Sequence, residues 1–365
     1  MFDLWYTNSR IRWRRNGIVK KWKILLILAC SFALSGCTKT PKSTENIDQG
    51  NLSLGKGYYE EALGSFQTAL NALEDLVQAY RGEGIAYMGL GNYEEAVTSF
   101  TNALNATKPD QAEVIQDLRM YKASAQYQMG EYEGCKVTCT ELLAVEELYE
   151  PYYLRGACKM EEGQEKEAEA DFDQAVRLNP KDYNLYLNIY EIYKEKNLSS
   201  DAGKYLEQAL TIGGEEAEDL YQRGRIYYYL GNYEKAKEQL SGAALQSHGP
   251  AILLLSQVNI ETGDIESAQT LAQQYLTEIG ETPQVYNVMA LVYLAQDQYD
   301  AALEQINKGL ALGMEDGKQD LLFNEIVAYE KKLDFQTAKA KAETYVSLYP
   351  SDKQGQKEYE FLSTR

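Results

Sequence analysis

Apolar and small residues along positions 80–104, YRGEGIAYMGLGNYEEAVTSFTNAL, recur with the spacing of two short amphipathic helices. Tyr80, Gly84, Tyr87 and Met88 share a face of the first helix, and Ala96, Val97, Phe100, Ala103 and Leu104 share a face of the second. Between them, Gly91-Asn92 predicts a tight turn, because glycine takes the left-handed backbone that ends a helix. A glycine inside a helix costs about 1 kcal/mol against alanine, so Gly84 needs a packing reason. The pattern predicts that Gly84, Ala96 and Ala103 meet where the antiparallel helices come closest, as Gly224 and Ala236 do further on. Phe100 and Tyr87 are too large for that seam and are expected to pack on a neighbouring pair.

The same pattern returns along the chain. Ala96 has counterparts at Ala62, Cys135, Ala168, Ala202, Ala236, Ala268, Ala302 and Ala338. Their steps of 34, 39, 33, 34, 34, 32, 34 and 36 residues set a period near 34. The turn glycine recurs at Gly57, Gly130, Gly163, Gly231 and Gly263, with Asn197, Asp297 and Leu333 standing in elsewhere. One helix pair cannot bury its own apolar faces, so such a period predicts stacked pairs. Nine units fit, beginning near residues 43, 77, 116, 149, 183, 217, 249, 283 and 319. The link over 106–116 carries five extra residues including Pro109, that over 246–250 is shortened, and that over 313–317 is long. In units seven and nine, Ala272 and Ala342 replace the second-helix aromatic.

The run of aromatic, glycine, tyrosine, alanine, aromatic and alanine at Tyr80, Gly84, Tyr87, Ala96, Phe100 and Ala103 resembles the tetratricopeptide repeat family. Tyr152, Gly156, Ala168, Phe172, Ala175 and Pro180 repeat it. The resemblance covers residues 43–350. It implies an all-α, right-handed α-solenoid (a superhelix) of about nine helix pairs, with residues 351–365 as a C-terminal capping helix. It also implies a non-enzymatic scaffold that binds protein or peptide partners, with first helices lining the concave side. By register that face carries Tyr127, Tyr153, Met160, Tyr221, Arg225, Tyr228 and Tyr229, an aromatic groove with one fixed cation. The competing reading has some of these tyrosines packing between repeats, and adjacent Tyr228 and Tyr229 cannot face the same way. The family's Lys and Asn clamp for acidic C-termini is not reproduced here.

Residues 1–36 follow a different pattern. A basic stretch ends at Lys23, and ILLILACSFAL over 24–34 is apolar. That run is shorter than the roughly 20 residues of a membrane span and has the length of a signal-peptide core. Leu34-Ser35-Gly36-Cys37 resembles the bacterial lipobox. This implies that 1–36 is a lipoprotein signal peptide and that Cys37 carries a diacylglycerol thioether as the mature N-terminus. Residues 37–42 then form a tether, about 20 Å long at about 3.3 Å per residue. From Val19, VKKWKILLILACSFALSGC is a compact signal by itself, so translation is expected to begin there. Together these readings place a lipid-anchored adaptor on the extracytoplasmic face of a bacterial cell membrane. The alternative is a receptor for an envelope glycan or small ligand. Trp5, Trp13 and Trp22 all precede Cys37, so the mature chain lacks the broad indole platforms that suit sugars.

The formal charge is −19, and the seven basic residues and one acid of positions 1–36 take it to −25 for the remainder. Such a body repels phosphate backbones, so no nucleic-acid partner is expected. Many acids, among them Glu60, Glu61, Glu94, Glu95 and Glu234, begin second helices, where they favour the helix dipole. His248 is the only histidine, which leaves no material for a histidine-based triad or metal centre. No phosphate-cradling GxxxxGK loop is present. No catalytic residue, metal or cofactor is therefore expected. Beyond Cys37 the cysteines are Cys135, Cys139 and Cys158, read as small buried apolar side chains. Cys139 and Cys158 are expected neighbours across a repeat boundary, where a disulfide is the alternative.

Overall fold

A computed structural model describes residues 44–350 and 352–365. The signal segment, Cys37 and the tether lie outside the described residues. Nineteen helices and no strands occur among those described. They fall into two compact units, divided between Tyr205 and Leu206. In the first, α1 (Glu45–Gly55) pairs with α2 (Tyr59–Asn71), α3 (Leu76–Leu90) with α4 (Tyr93–Ala106), and α5 (Ala112–Met129) with α6 (Tyr132–Leu143). There follow α7 (Tyr149–Glu161) with α8 (Glu165–Leu178), then α9 (Tyr183–Glu195) and α10 (Ser199–Ala209), which carries the boundary. The second unit pairs α11 (Ala217–Tyr229) with α12 (Tyr233–Ala244), and α13 (Gly249–Glu261) with α14 (Ile265–Glu278). It continues with α15 (Pro283–Ala295) and α16 (Tyr299–Ala311), then α17 (Lys318–Lys331) and α18 (Phe335–Leu348), and ends in α19 (Lys353–Ser363).

Local chemistry explains where the helices begin and end. Each predicted turn residue has a positive φ, including Gly91 at 79°, Asn197 at 62°, Asp297 at 59° and Leu333 at 61°. At the end of α3 the N–H groups of Gly91 and Asn92 bond back to Met88 and Tyr87 carbonyls at 3.1 and 2.9 Å. These bonds satisfy carbonyls that a helix end leaves without partners. Asp75, Asp182, Asp264 and Asp334 accept backbone N–H bonds at helix starts. The start of α1 is closed from outside its own segment. Buried Glu74 accepts from Asn46 Nδ2 at 2.6 Å and from the Ile47 N–H at 3.3 Å. At the other end Leu362 of α19 enters the core formed by Phe323, Tyr345 and their neighbours.

Leu333 occupies the left-handed turn with 74% of its side chain exposed. That backbone costs an L-residue about 1–2 kcal/mol, and glycine returns part of the gain through unfolded-state entropy. Leu333→Gly is expected to raise stability by about 0.5–1 kcal/mol, and Gly231→Leu to lower it by a similar amount, in paired thermal melts.

The seam inside each pair differs from the sequence expectation. A Cβ on Gly84 would lie 2.6 Å from the Phe100 ring, and one on Gly156 would lie 2.8 Å from Phe172. Phe66 is gripped twice, 2.7 Å from such an atom on Gly50 and 2.3 Å from one on Gly82. At Gly224 the intruder is Leu240 rather than Ala236. Gly50, Gly84, Gly156 and Gly224 thus make room for the large second-helix side chain of their own pair, and Gly82 makes room for that of the pair before. Ala96, Ala103 and Ala236 are fully buried. Phe100 also reaches the next pair, stacking on Tyr121 with centroids 5.4 Å apart and planes 20° apart. In several pairs the two register positions trade volume, as in Gly84 with Phe100, Gly224 with Leu240, Ala290 with Ile306 and Ile326 with Ala342, whereas Tyr190 with Leu206 and Ser256 with Ala272 do not.

Cys135, Cys139 and Cys158 are free thiols, fully buried in one cluster with Ala123 and Leu154. They occupy the small apolar role. Hydrogen bonding with Cys139 and Cys158, reinforced by burial, raises the pKa of the Cys135 thiol, which keeps it protonated.

Candidate peptide-binding face

The residues expected on the groove divide between the two units, and their environments differ. In the first unit Tyr127 on α5 is partly exposed, with its ring 5.8 Å from Tyr132. Burial pushes its phenol pKa up, and that of Tyr153 likewise. Tyr153 on α7 packs 6.1 Å from Phe172. Met160 is only 2% exposed. In the second unit Tyr228 is also 2% exposed. Its hydroxyl donates to Glu261 and accepts from Gln257 Nε2 at 2.9 Å, both on α13. Met160 and Tyr228 therefore correct the expectation: their side chains pack inside the stack and offer no surface. The physical reason is that a first helix touches both its own partner and the next first helix. A stripe read from one helix cannot separate that contact from open solvent. Tyr229 is buried as well, with its ring 6.2 Å from that of Tyr228.

Tyr221 and Arg225 do come together, within a larger polar set on α11. Glu218, Gln222 and Arg225 are spaced as i, i+4 and i+7, so they line one stripe. Gln222 Nε2 donates to Glu218 Oε1, and Arg225 Nη1 donates to Gln222 Oε1 at 2.7 Å. The guanidinium lies 5.6 Å from the Tyr221 ring centroid. The His248 imidazole also lies against that ring, with centroids 4.8 Å apart. His248 Nδ1 accepts from the Ala251 N–H at 3.2 Å, capping α13. With Nδ1 accepting, neutral His248 carries its proton on Nε2 and donates it to Glu218 Oε2, 3.0 Å away. The lone histidine is thus a helix cap and a brace for a carboxylate. Burial raises the Tyr221 phenol pKa, against the lowering influence of Arg225.

Exposure decides how this set meets a ligand. Tyr221 and Arg225 are each 9% exposed, whereas the Glu218 side chain is 63% exposed. The carboxylate is therefore the open end of a supported chain of hydrogen bonds, held directly by Gln222 and His248, with Arg225 behind Gln222. Glu218, Gln222 and His248 were absent from the sequence-derived groove. The stripe of Glu218, Gln222 and Arg225 was visible as a spacing; the arrival of His248 from the next repeat was not.

Residues 47–112, 149–182 and 220–243 match sequence profiles described as Tetratricopeptide repeat. The chain contains tetratricopeptide repeats. Such repeats are typically scaffolds for protein interaction rather than enzymes. Among curated proteins, the chain is similar to human Protein O-mannosyl-transferase TMTC1, 30% identical over 36% of this chain and 15% of the relative. It is also similar to Mitochondrial import receptor subunit TOM70 of Saccharomyces cerevisiae, 24% identical over 40% of this chain and 24% of the relative. The chain therefore spans a quarter or less of these relatives' length. Among solved structures, yeast Tom70 matches with a TM-score of 0.47 at 16% identity, covering 87% of each chain. A tetratricopeptide repeat protein from Parabacteroides merdae matches with a TM-score of 0.44 at 15% identity, covering 68% of this chain and 98% of that one. Among the described residues, no cluster of three or more His, Cys, Asp and Glu side chains is arranged to hold a metal ion. No helix there is long and apolar enough to cross a membrane.

Proposed function

We propose that this protein is a membrane-tethered, non-enzymatic adaptor. Its tetratricopeptide repeats bind protein or peptide partners at the extracytoplasmic face of a bacterial envelope. The observation that carries the binding half is the braced Glu218 carboxylate beside Tyr221, on a first-helix stripe of the repeat stack. A fixed acceptor next to a buried aromatic is suited to an N–H or cationic group on an apolar peptide. The tether rests on the lipobox-like Leu34-Ser35-Gly36-Cys37 after a basic and then apolar segment.

The test is a photo-reactive amino acid at position 218 of the full-length chain, with adducts collected from intact cells. Protein adducts are expected. In the otherwise native chain, Glu218→Ala should weaken binding of the captured partner at least tenfold, equivalent to about 1.4 kcal/mol. Its removal also takes the acceptor from the buried Gln222 amide, so a stability loss of about 1–3 kcal/mol is expected beside the binding loss, and the helical signal should be retained. Adducts to glycan alone, or partner binding untouched by Glu218→Ala, would defeat this reading. The double change of Tyr221 and Arg225 to alanine is a harsher probe, since both side chains are also part of the packing.

A further inference from the structure

The start of α13 is closed by a side chain of a kind used nowhere else for that purpose among the described residues. Every other side-chain cap there is an Asp carboxylate, Asn232 or Thr282. Those groups accept hydrogen bonds throughout the neutral range. His248 accepts one only while it is uncharged, and histidine is the side chain that ordinarily changes charge between about pH 5 and pH 8.

The imidazole cannot slide away from its post. Ser247, just before it, holds a left-handed φ of 55° and donates through Oγ to Glu278 Oε2 on α14 at 3.0 Å. The His248 N–H bonds to the Ala243 carbonyl at 3.3 Å. A Cβ on Gly249 would lie 3.2 Å from the Tyr275 ring, so the chain is close-packed on the α14 side as well. Charged and titratable groups stand around it on two helices: Glu218, Tyr221 and, beyond that ring, Arg225 on α11, with Glu278 and Tyr275 on α14. On its own helix the ring meets the Ala251 N–H at 3.2 Å, a donor that the His248 carbonyl shares at 3.0 Å. Pro250 has no N–H to offer in its place.

One added proton changes both ends of this arrangement. Neutral imidazole has an acceptor at Nδ1 and a donor at Nε2, whereas imidazolium has two donors. Turning the ring over restores no acceptor. The Nδ1–H would then face the Ala251 N–H, donor against donor, with a cation set at the positive end of the α13 dipole. At Nε2 the neutral hydrogen bond to Glu218 becomes an ion pair, which cancels the charge that the mostly exposed carboxylate presents to solvent. We propose that His248 is a pH-operated latch. Neutral, it caps α13 and leaves Glu218 negative; protonated, it releases the Ala251 N–H and pairs with Glu218, so the face loses affinity for cationic ligands on acidification. The effect on ligands rests on the reading of the Glu218 face as a docking site; the latch itself does not.

His248 is the only histidine of the chain, so labelling full-length protein with 15N-histidine gives a single imidazole to follow by NMR. Titrated from about pH 8 to about pH 5, it should pass from a proton on Nε2 alone to protons on both nitrogens. The Ala251 amide proton should shift with the same midpoint. His248→Asn keeps an accepting cap that does not titrate, and the Ala251 shift should vanish in it. A neutral proton on Nδ1, an imidazole that stays neutral to the end of the titration, or an Ala251 amide that moves equally in His248→Asn would each overturn the latch. The ligand arm uses a rhodamine-labelled, C-amidated peptide alternating Leu and Arg, read by anisotropy. Its affinity should fall on acidification by about threefold more in the native chain than in His248→Asn, the size of an exposed ion pair. The same fall in both proteins would overturn the coupling to ligands. A peptide that binds neither protein at about pH 8, while imidazole and amide titrate together, would sink the docking reading and uphold the latch.

Discussion

Under the proposed lipid anchoring, replacing Cys37 with alanine is expected to leave the protein as an unprocessed precursor without a diacylglycerol thioether. The argument runs from chemistry: the thioether needs the Cys37 sulfur, and alanine offers no nucleophile in its place. Each buried methylene of an acyl chain contributes about 0.8 kcal/mol, so two chains hold a protein at a bilayer firmly where one holds it marginally. The optical consequence is unusual and easy to read. Trp5, Trp13 and Trp22 all lie before Cys37, and Tyr6 is the one tyrosine there, so 29 of the 30 tyrosines remain after cleavage. Mature protein extracted from membranes should emit as tyrosine alone, and the Cys37→Ala precursor should emit as tryptophan. Tryptophan emission from the mature, membrane-extracted protein would rule out cleavage at this position.

The largest effect on folding is expected at Phe100. Its ring is fully buried, fills the space above Gly84 and stacks on Tyr121 of the following pair. Phe100→Ala should cost about 3–5 kcal/mol, the usual range for emptying a core of an aromatic ring. The loss is felt at an interface between repeats as well as within one, because nearest-neighbour contacts carry the stability of a repeat stack. Gly84→Ile alone should also destabilise strongly, since even a Cβ there would stand 2.6 Å from the ring. Combined, the two changes copy the Ile326 and Ala342 arrangement already present in repeat nine. The double variant should recover about 1–3 kcal/mol relative to the sum of the singles, within the range of couplings between contacting residues. Denaturant melts of the four proteins measure that coupling. Strict additivity would mean that Gly84 and Phe100 do not share a space.

The sequence by itself determined the period, the nine helix pairs, their turns and the closing helix. These features are local: a left-handed turn residue and a 3.6-residue stripe act within a few positions of the chain. Even the exceptional turn residues Asn197, Asp297 and Leu333 were legible, since each stands where the others have glycine. What only the tertiary structure decided is which surfaces face each other. Gly50, Gly84, Gly156 and Gly224 receive Phe66, Phe100, Phe172 and Leu240 of their own pairs, a fit that exists only once two helices lie against each other. Met160 and Tyr228 lie inside the stack, although their stripe looked no different from an open one. His248, thirty residues beyond Glu218, becomes its brace because stacking sets the start of one first helix beside that of another.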